Sequence, residues 1–274
     1  MFRRELLAIV QPDPSAEPGL VFFDGTEEDG RIRRGRARSR AGETYHIENG
    51  YLDLLDHGLG ADNIANLTNY LPGASRLYEP LWRVRSLNLL TGERFPNDRE
   101  IDLVSALVGL DRGGRFLDLG CSAGLYTRTM ARRLGGRGDV VGVDISPSML
   151  KEAARRARRL GSSPSFARAD IKRLPFMDGS FSGAVCGGTL NELGDPGLAL
   201  RETHRVLAPG SRLVIMGILQ ARTRRGRLLQ RALSTGGVSF FAPDEVQRLL
   251  EDSGFRPDPL ETRGAAFFAA ASRV

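Results

Sequence analysis

Apolar positions in the middle of the chain recur at two alternating periods. The runs RFLDLG (115–120), VVGVDI (140–145), SFARADI (165–171), SGAVCGG (182–188) and RLVIMGIL (212–219) are short, apolar and bounded by turn residues, as strands are. Between them lie GLYTRTMARRL (124–134), PSMLKEAARRARRL (147–160) and DPGLALRETHRVL (195–207), with the composition and length of helices. Strand–helix alternation at this spacing predicts βαβ units in an α/β fold: a doubly wound, mostly parallel sheet with helices on both faces. After a basic segment (220–237), a helix is predicted over 242–254 and then two strands, 259–264 and 265–274, close enough to pair as an antiparallel hairpin.

Upstream the pattern differs. Residues 1–56 are rich in Pro, Gly, Asp and Arg, with short apolar runs at 6–10 and 20–23 that read as a few short strands. The next stretch is mainly helical (61–70, 76–90 and 97–110), the last helix with Asn97 or Asp98 as N-cap and Gly109 near its end. This divides the chain into an N-terminal β module (1–56), a helical linker or cap (57–112) and an α/β domain (113–274), with 220–238 a candidate substrate lid.

Composition changes this picture little. No run of about 18 apolar residues exists, so no membrane-spanning helix is expected. Pro12 and Pro14 cut off the N-terminal apolar stretch before any small-residue cleavage site, which argues against a signal peptide. Two cysteines, Cys121 and Cys186, make no disulfide framework, and a cytoplasmic location is expected. The net charge of +6 rests on 39 basic residues, of which only Lys151 and Lys172 are lysine. Arginine spread so evenly reads as a solvated basic surface, and it leaves an anionic substrate open.

The candidate chemistry sits in FLDLGCSAGLYT. Asp118 ends a strand, Gly120 and Gly124 follow, and then a helix begins. Glycine lets the backbone turn tightly and approach a ligand, and a helix N-terminus presents free N–H groups. Asp144 ends the next strand, where a carboxylate can accept both hydroxyls of a ribose. Asp170 and Ile171 end the third, placed to take an adenine amino group and ring nitrogen.

These segments resemble the class I S-adenosylmethionine-dependent methyltransferases, in particular the type 11 subgroup. FLDLGCSAG, VVGVDIS, ARADIKRLPF, FSGAVCGGTLNEL and RETHRVLAPGSRLVI are similar to five successive motifs of that family, over about residues 115–215. The resemblance implies a Rossmann-like sheet of seven strands, the last antiparallel, and S-adenosyl-L-methionine as cofactor with S-adenosyl-L-homocysteine as product. It implies cofactor contacts from Asp118, Gly120, Cys121, Ser122, Gly124, Asp144, Ile145, Asp170 and Ile171. Ser122 stands where the family commonly has glycine.

Two other readings fit less well. A dinucleotide site wants G-x-G-x-x-G, which Ser122 interrupts. Gly120 to Gly124 also match G-x-S-x-G, the nucleophile elbow of α/β-hydrolases, but the sole histidine downstream of Ser122, His204, lies inside a predicted helix.

RSRAGETYHIENGYLDLL (38–55) resembles the second half of a zinc ribbon that precedes some methyltransferase domains. Arg38 and Ala41 occupy the positions of its cysteines, so a metal-free relic is expected, with His46 and His57 as surface or packing residues. On the acceptor side, Glu192 and His204 are candidate bases and Asn191 a candidate orienting group. Tyr78, Trp82 and Arg83 form a candidate substrate cap. Arg222, Arg224, Arg225, Arg227 and Arg231 surround Leu228, Leu229 and Leu233 in the candidate lid, which suits an anionic or lipid-like substrate or a membrane surface as well as a solvated helix. The expected function is methylation of a small-molecule or lipid-like metabolite. Methylation of ribosomal RNA guanine is the alternative, a non-catalytic binding or scaffold protein a third, and a homodimer remains open.

Overall fold

A computed structural model describes residues 1–55 and 96–274. Tyr78, Trp82, Arg83 and His57 lie outside the described residues. In chain order the first strands are β1 (Phe2–Arg3), β2 (Leu20–Glu28), β3 (Arg31–Ser39), β4 (Thr44–Glu48) and β5 (Tyr51–Asp53). Helix α1 (Asn97–Val108) leads into β6 (Gly114–Leu119), α2 (Leu125–Leu134), β7 (Gly138–Asp144), α3 (Pro147–Arg159), β8 (Ser165–Arg168) and β9 (Phe181–Gly187). There follow α4 (Pro196–Val206), β10 (Leu207–Ile218), α5 (Arg224–Ser234), α6 (Pro243–Asp252), β11 (Phe255–Pro257), β12 (Glu261–Arg263) and β13 (Ala266–Arg273).

Strands β8-β7-β6-β9-β10 run parallel in that order, β13 lies antiparallel beside β10, and β11 closes the far edge. This is the expected doubly wound α/β sheet. The chain winds outward from β6 through β7 to β8, then returns to the other side for β9 and β10. The order reverses between β6 and β9, and the crevice at such a reversal is where open α/β sheets bind ligands.

Alternation along the strands feeds two apolar layers. On β10, Leu213 and Ile215 join one core while Val214 and Met216 join the other, and β13 does the same with Phe267 and Phe268. Ile101, Val104 and Val108 of α1 and Met130 and Leu134 of α2 cover one face. Leu200 and Val206 of α4 and Val246 and Leu250 of α6 cover the other. Caps set the helix starts: Ser146 Oγ accepts Met149 N–H at 3.4 Å, and Asp195 Oδ1 accepts Leu198 N–H at 3.1 Å. Glu245 accepts the N–H of Ala242 at 3.2 Å at the start of α6.

Local expectations needed correction. The 6–10 run is no strand: Arg4–Ile9 forms 3-10 turns. Leu6 and Leu7 are both buried, which successive residues of an edge strand cannot achieve without covering both faces. Helix α1 begins at Asn97 itself, with Pro96 in the cap position and no side-chain cap. Strand β8 stops at Arg168, because Asp170 Oδ1 turns back to accept Lys172 N–H at 2.8 Å.

The N-terminal strands continue the central sheet. The antiparallel run β2-β3-β4-β5 joins it where β5 pairs in parallel with β8, Leu52 opposite Ala167. Phe2, Leu6, Val10, Ile32, Ile47 and Leu52 enter the same core as Leu117, Val141 and Phe176.

Candidate functional site

The carboxyl ends of β6, β7, β8 and β9 open into one cleft with about 930 Å³ of empty space, its mouth included. Asp118, Gly120, Cys121, Ser122, Asp144, Ile145, Asp170, Ile171 and Glu192 all line it. Asp118, Asp144 and Asp170, each 26 positions from the next in sequence, are thus brought together by the ends of successive strands.

The turn after β6 passes through three left-handed residues, Gly120, Ser122 and Gly124, at φ 65°, 48° and 75°. A side chain at Gly120 is disfavoured both by its φ and by space: a Cβ there would lie 2.2 Å from Thr189 Oγ1, so Thr189 would have to move. Asp118, 2% exposed, accepts both the N–H (2.9 Å) and the hydroxyl (2.5 Å) of Thr127 on its Oδ2. That pair pins α2 to the end of β6. Ser122 N–H donates to Asp144 Oδ2 at 2.8 Å, while Asp144 Oδ1 accepts Ser146 N–H at 2.8 Å. Burial pushes the Asp144 carboxyl above its usual range, opposed by the N–H groups of Ser146, Ser122 and Ile145. Its plane is therefore fixed from both ends, at the wall of the cleft.

Glu192 faces the same space from the 3-10 turn Thr189–Glu192 that follows β9. Burial, and then the charge of Asp144, push its carboxyl up to about 7. The thiols of Cys121 and Cys186 are both pushed up by burial, to about 12 for Cys186, so neither is a nucleophile near neutral pH.

Several expected residues lie elsewhere. Gly124 is not among the residues lining the cleft; its turn packs on Ala153 and Phe166. Asn191, 1% exposed, spends its amide on backbone: Nδ2 donates to Ile218 O (2.9 Å) and Ser239 O (2.7 Å), and Oδ1 accepts Ile218 N–H (2.9 Å). It ties the end of β10 to the 239 loop and is not among the residues lining the cleft. His204 sits on α4, packed edge-on against Phe255 at 5.2 Å and against Gly254, outside the cleft. Burial lowers its pKa, as for a neutral packing histidine.

The cleft also recruits residues without a motif signal. Tyr126 lines it, with its hydroxyl donating to Glu100, a fully buried carboxylate on α1. The Tyr126 ring lies where a Cβ on Gly187 would meet it at 2.5 Å, so Gly187 is small to admit the ring. Lys172, one of the chain's two lysines, lines the cleft 3.9 Å from Asp170. A polar residue at a helical core position (Glu100) was the one available hint.

Residues 117–215 match the family described as a methyltransferase domain. A 2-phytyl-1,4-naphtoquinone methyltransferase of Nostoc sp. is 34% identical over 125 residues, covering 45% of this chain and 55% of the relative. The matched region spans about half the length of such curated relatives. A SAM dependent methyltransferase from Aquifex aeolicus superposes with a TM-score of 0.53 at 22% identity, covering 70% of this chain and 97% of that one. The [4+2]-cyclase SpnF superposes at 0.58 with 20% identity, covering 79% and 98%. These likenesses establish the Rossmann-like fold. That one neighbour is named a cyclase shows why the chemistry must be argued from the site.

Proposed function

We propose that this chain transfers a methyl group from S-adenosyl-L-methionine to a small-molecule or lipid-like acceptor. The carrying observation is the convergence of Asp144, Asp170 and the Gly120 turn on one cleft, with Glu192 facing them. In this reading Asp144 takes the ribose hydroxyls, Asp170 and Ile171 take the adenine, and Gly120 with Cys121 and Ser122 borders the amino-acid end. When bound, S-adenosyl-L-methionine supplies a methyl group activated by its sulfonium. The protein's part is to hold the acceptor in line and to exclude water. Where the acceptor is a hydroxyl or a carbon acid, Glu192 accepts its proton, since a carboxyl tuned to about 7 is half ionised near neutral pH.

The name of the Nostoc relative supports a quinone-like, lipid-tailed acceptor. Ribosomal RNA has less support, because the matched relative acts by name on a small molecule. The N-terminal strands are read as a former ribbon whose present role is to extend the sheet past β8. Among the described residues no cluster of three or more His, Cys, Asp or Glu could hold a metal ion, and none is assigned a role.

Calorimetric titration with S-adenosyl-L-methionine, on the parent and on Asp144→Ala, tests the cofactor assignment. Binding to the parent and its loss in a folded variant are expected; equal affinity removes the ribose role. Methyl-labelled S-adenosyl-L-methionine given separately to lipid, metabolite and RNA extracts then tests the acceptor. Label in RNA alone overturns the small-molecule reading.

A further inference from the structure

Helix α5 leaves the sheet at the carboxyl end of β10, the same end at which the cleft opens. Both flanks of its segment are tied to the sheet: Leu219 N–H donates to Ala265 O at 2.8 Å and Gln220 N–H to Phe241 O at 2.9 Å. Inside the loop, Gln230 clamps the helix from its inner side, accepting Ala221 N–H (2.7 Å) and donating to Leu219 O (2.9 Å). The helix therefore has a fixed inner and outer face.

On the outer face stand Arg224, Arg227, Leu228 and Arg231, at spacings i, i+3, i+4 and i+7, all exposed. Leu228 is 70% exposed, an apolar side chain next to Arg227 in sequence and one helical turn from Arg224 and Arg231, with exposed Arg222 just before the helix; Arg227 Nη1 also donates to Ala221 O (3.3 Å) and Arg222 O (2.8 Å). No acidic residue occurs between Glu202 and Asp244. Among the described residues no carboxylate pairs with these four arginines. A soluble helix normally mixes both signs on its wet face. One that is purely cationic around a leucine is complementary to a negatively charged surface that also accepts an apolar side chain.

We infer that the outer face of α5 docks the protein onto anionic lipid bilayers, with Arg224, Arg227 and Arg231 at the headgroups and Leu228 in the interface. The use of this contact rests on the lipid-like acceptor proposed above, because docking at the cleft end shortens the path of such a molecule from bilayer to cleft. The docking itself does not depend on that reading. Leucine at the centre favours a bilayer over RNA, whose single-stranded binding surfaces interleave cations with aromatic rings; the described face carries no aromatic side chain.

Sedimentation of the full chain with phosphatidylcholine vesicles, with or without phosphatidylglycerol, tests this. Binding is expected with the anionic vesicles alone and should fall as salt is raised. Each exposed arginine adds about fivefold to partition at an anionic surface, so R224Q/R227Q/R231Q should lose about a hundredfold. Leu228→Asp should also weaken binding. All these side chains are exposed, so the variants should fold and keep the parent's affinity for S-adenosyl-L-methionine. Equal binding to neutral vesicles, no binding at all, or an unchanged triple variant overturns the inference. So does capture of protein-free RNA, abolished in the triple variant, in place of vesicle binding. Vesicle binding by a protein that binds no S-adenosyl-L-methionine would sink the proposed function and leave the docking intact.

Discussion

Ser122 carries a conformational cost that its neighbours do not. Asp29 and Asn49, the other described non-glycine residues at positive φ, are of types that tolerate it. Ser122 sits at φ 48° because its N–H must meet Asp144. A left-handed L-residue costs about 1–2 kcal/mol, of which glycine's greater freedom in the unfolded chain takes back part. Ser122→Gly should therefore gain about 0.5–1 kcal/mol in urea unfolding, with cofactor affinity unchanged; a loss of stability would show that the Ser122 hydroxyl contributes more than its 3.5 Å contact with Met149 suggests. Glu192 gives a second test. Its carboxyl is raised from 4.5 to about 7, so the folded protein holds a proton that the unfolded chain releases at lower pH. The sign is destabilising: the cost is absent below about 4.5 and grows until the pH passes about 7, reaching about 3 kcal/mol. Glu192→Gln should thus match the parent's stability at pH 4 and exceed it at pH 8. The same variant should lose the rise in methyl-transfer rate through pH 7 and fall about a hundredfold or more in kcat, with cofactor affinity intact. A rate profile unchanged by the substitution would remove Glu192 as the base.

At the scale of elements, strands β6 to β10 and their intervening helices were legible because each buries a continuous apolar run and is punctuated by Gly, Pro or a capping Ser or Asp. Asp144 and Asp170 were legible for the same reason: a strand end is marked by its sequence, and the fold gathers strand ends. What stayed hidden is non-local. Strand β11 (Phe255–Pro257) is too short to show a period and is tolerated at an edge, where the missing N–H of Pro257 costs no ladder bond. The roles of Asn191 and His204 depend on which backbone each meets in three dimensions, not on residue type. The joint between β5 and β8 was also silent. There Asp53 faces Arg168 at 3.2 Å with both side chains largely buried, and Arg168 Nε reaches on to Ile145 O at 3.1 Å, in the cleft wall. Removing one partner of such a pair strands a charge. Asp53→Ala should cost about 3 kcal/mol and weaken cofactor binding through Ile145, while Asp53→Leu with Arg168→Met should recover most of the stability. Chemical denaturation of the two variants decides this, and a double variant that loses as much stability as Asp53→Ala would refute the coupling.

For the whole molecule, the N-terminal strands decide whether the α/β sheet has an exposed edge. Residues 1–55 cover one side of the sheet through Leu52 beside Ala167, the bridge from Val10 to Phe176, and backbone bonds from Gln11 to Pro175 (2.8 Å) and from Met177 to Ile9 (2.9 Å). Taking them away leaves β8 as an edge strand, paired with β7 alone, and brings Phe176, Leu174 and Ala167 into water, all of them fully buried here. Burying a large apolar side chain contributes about 1.5–3 kcal/mol, against a net stability of about 5–15 kcal/mol for a whole domain. Exposure of this one patch, together with the loss of the Arg168 ion pair, consumes a large share of that margin and leaves an apolar edge that invites strand-to-strand association. A chain beginning at residue 56 should accordingly be insoluble, or bind hydrophobic dyes and unfold without a sharp transition, even though residues 117–215 remain intact. Co-expression with a separate 1–55 fragment should restore solubility if the covering surface is what matters. A truncated chain that melts cooperatively within a few degrees of the parent would mean that the helices carry the sheet alone, and that the N-terminal strands serve something other than its stability.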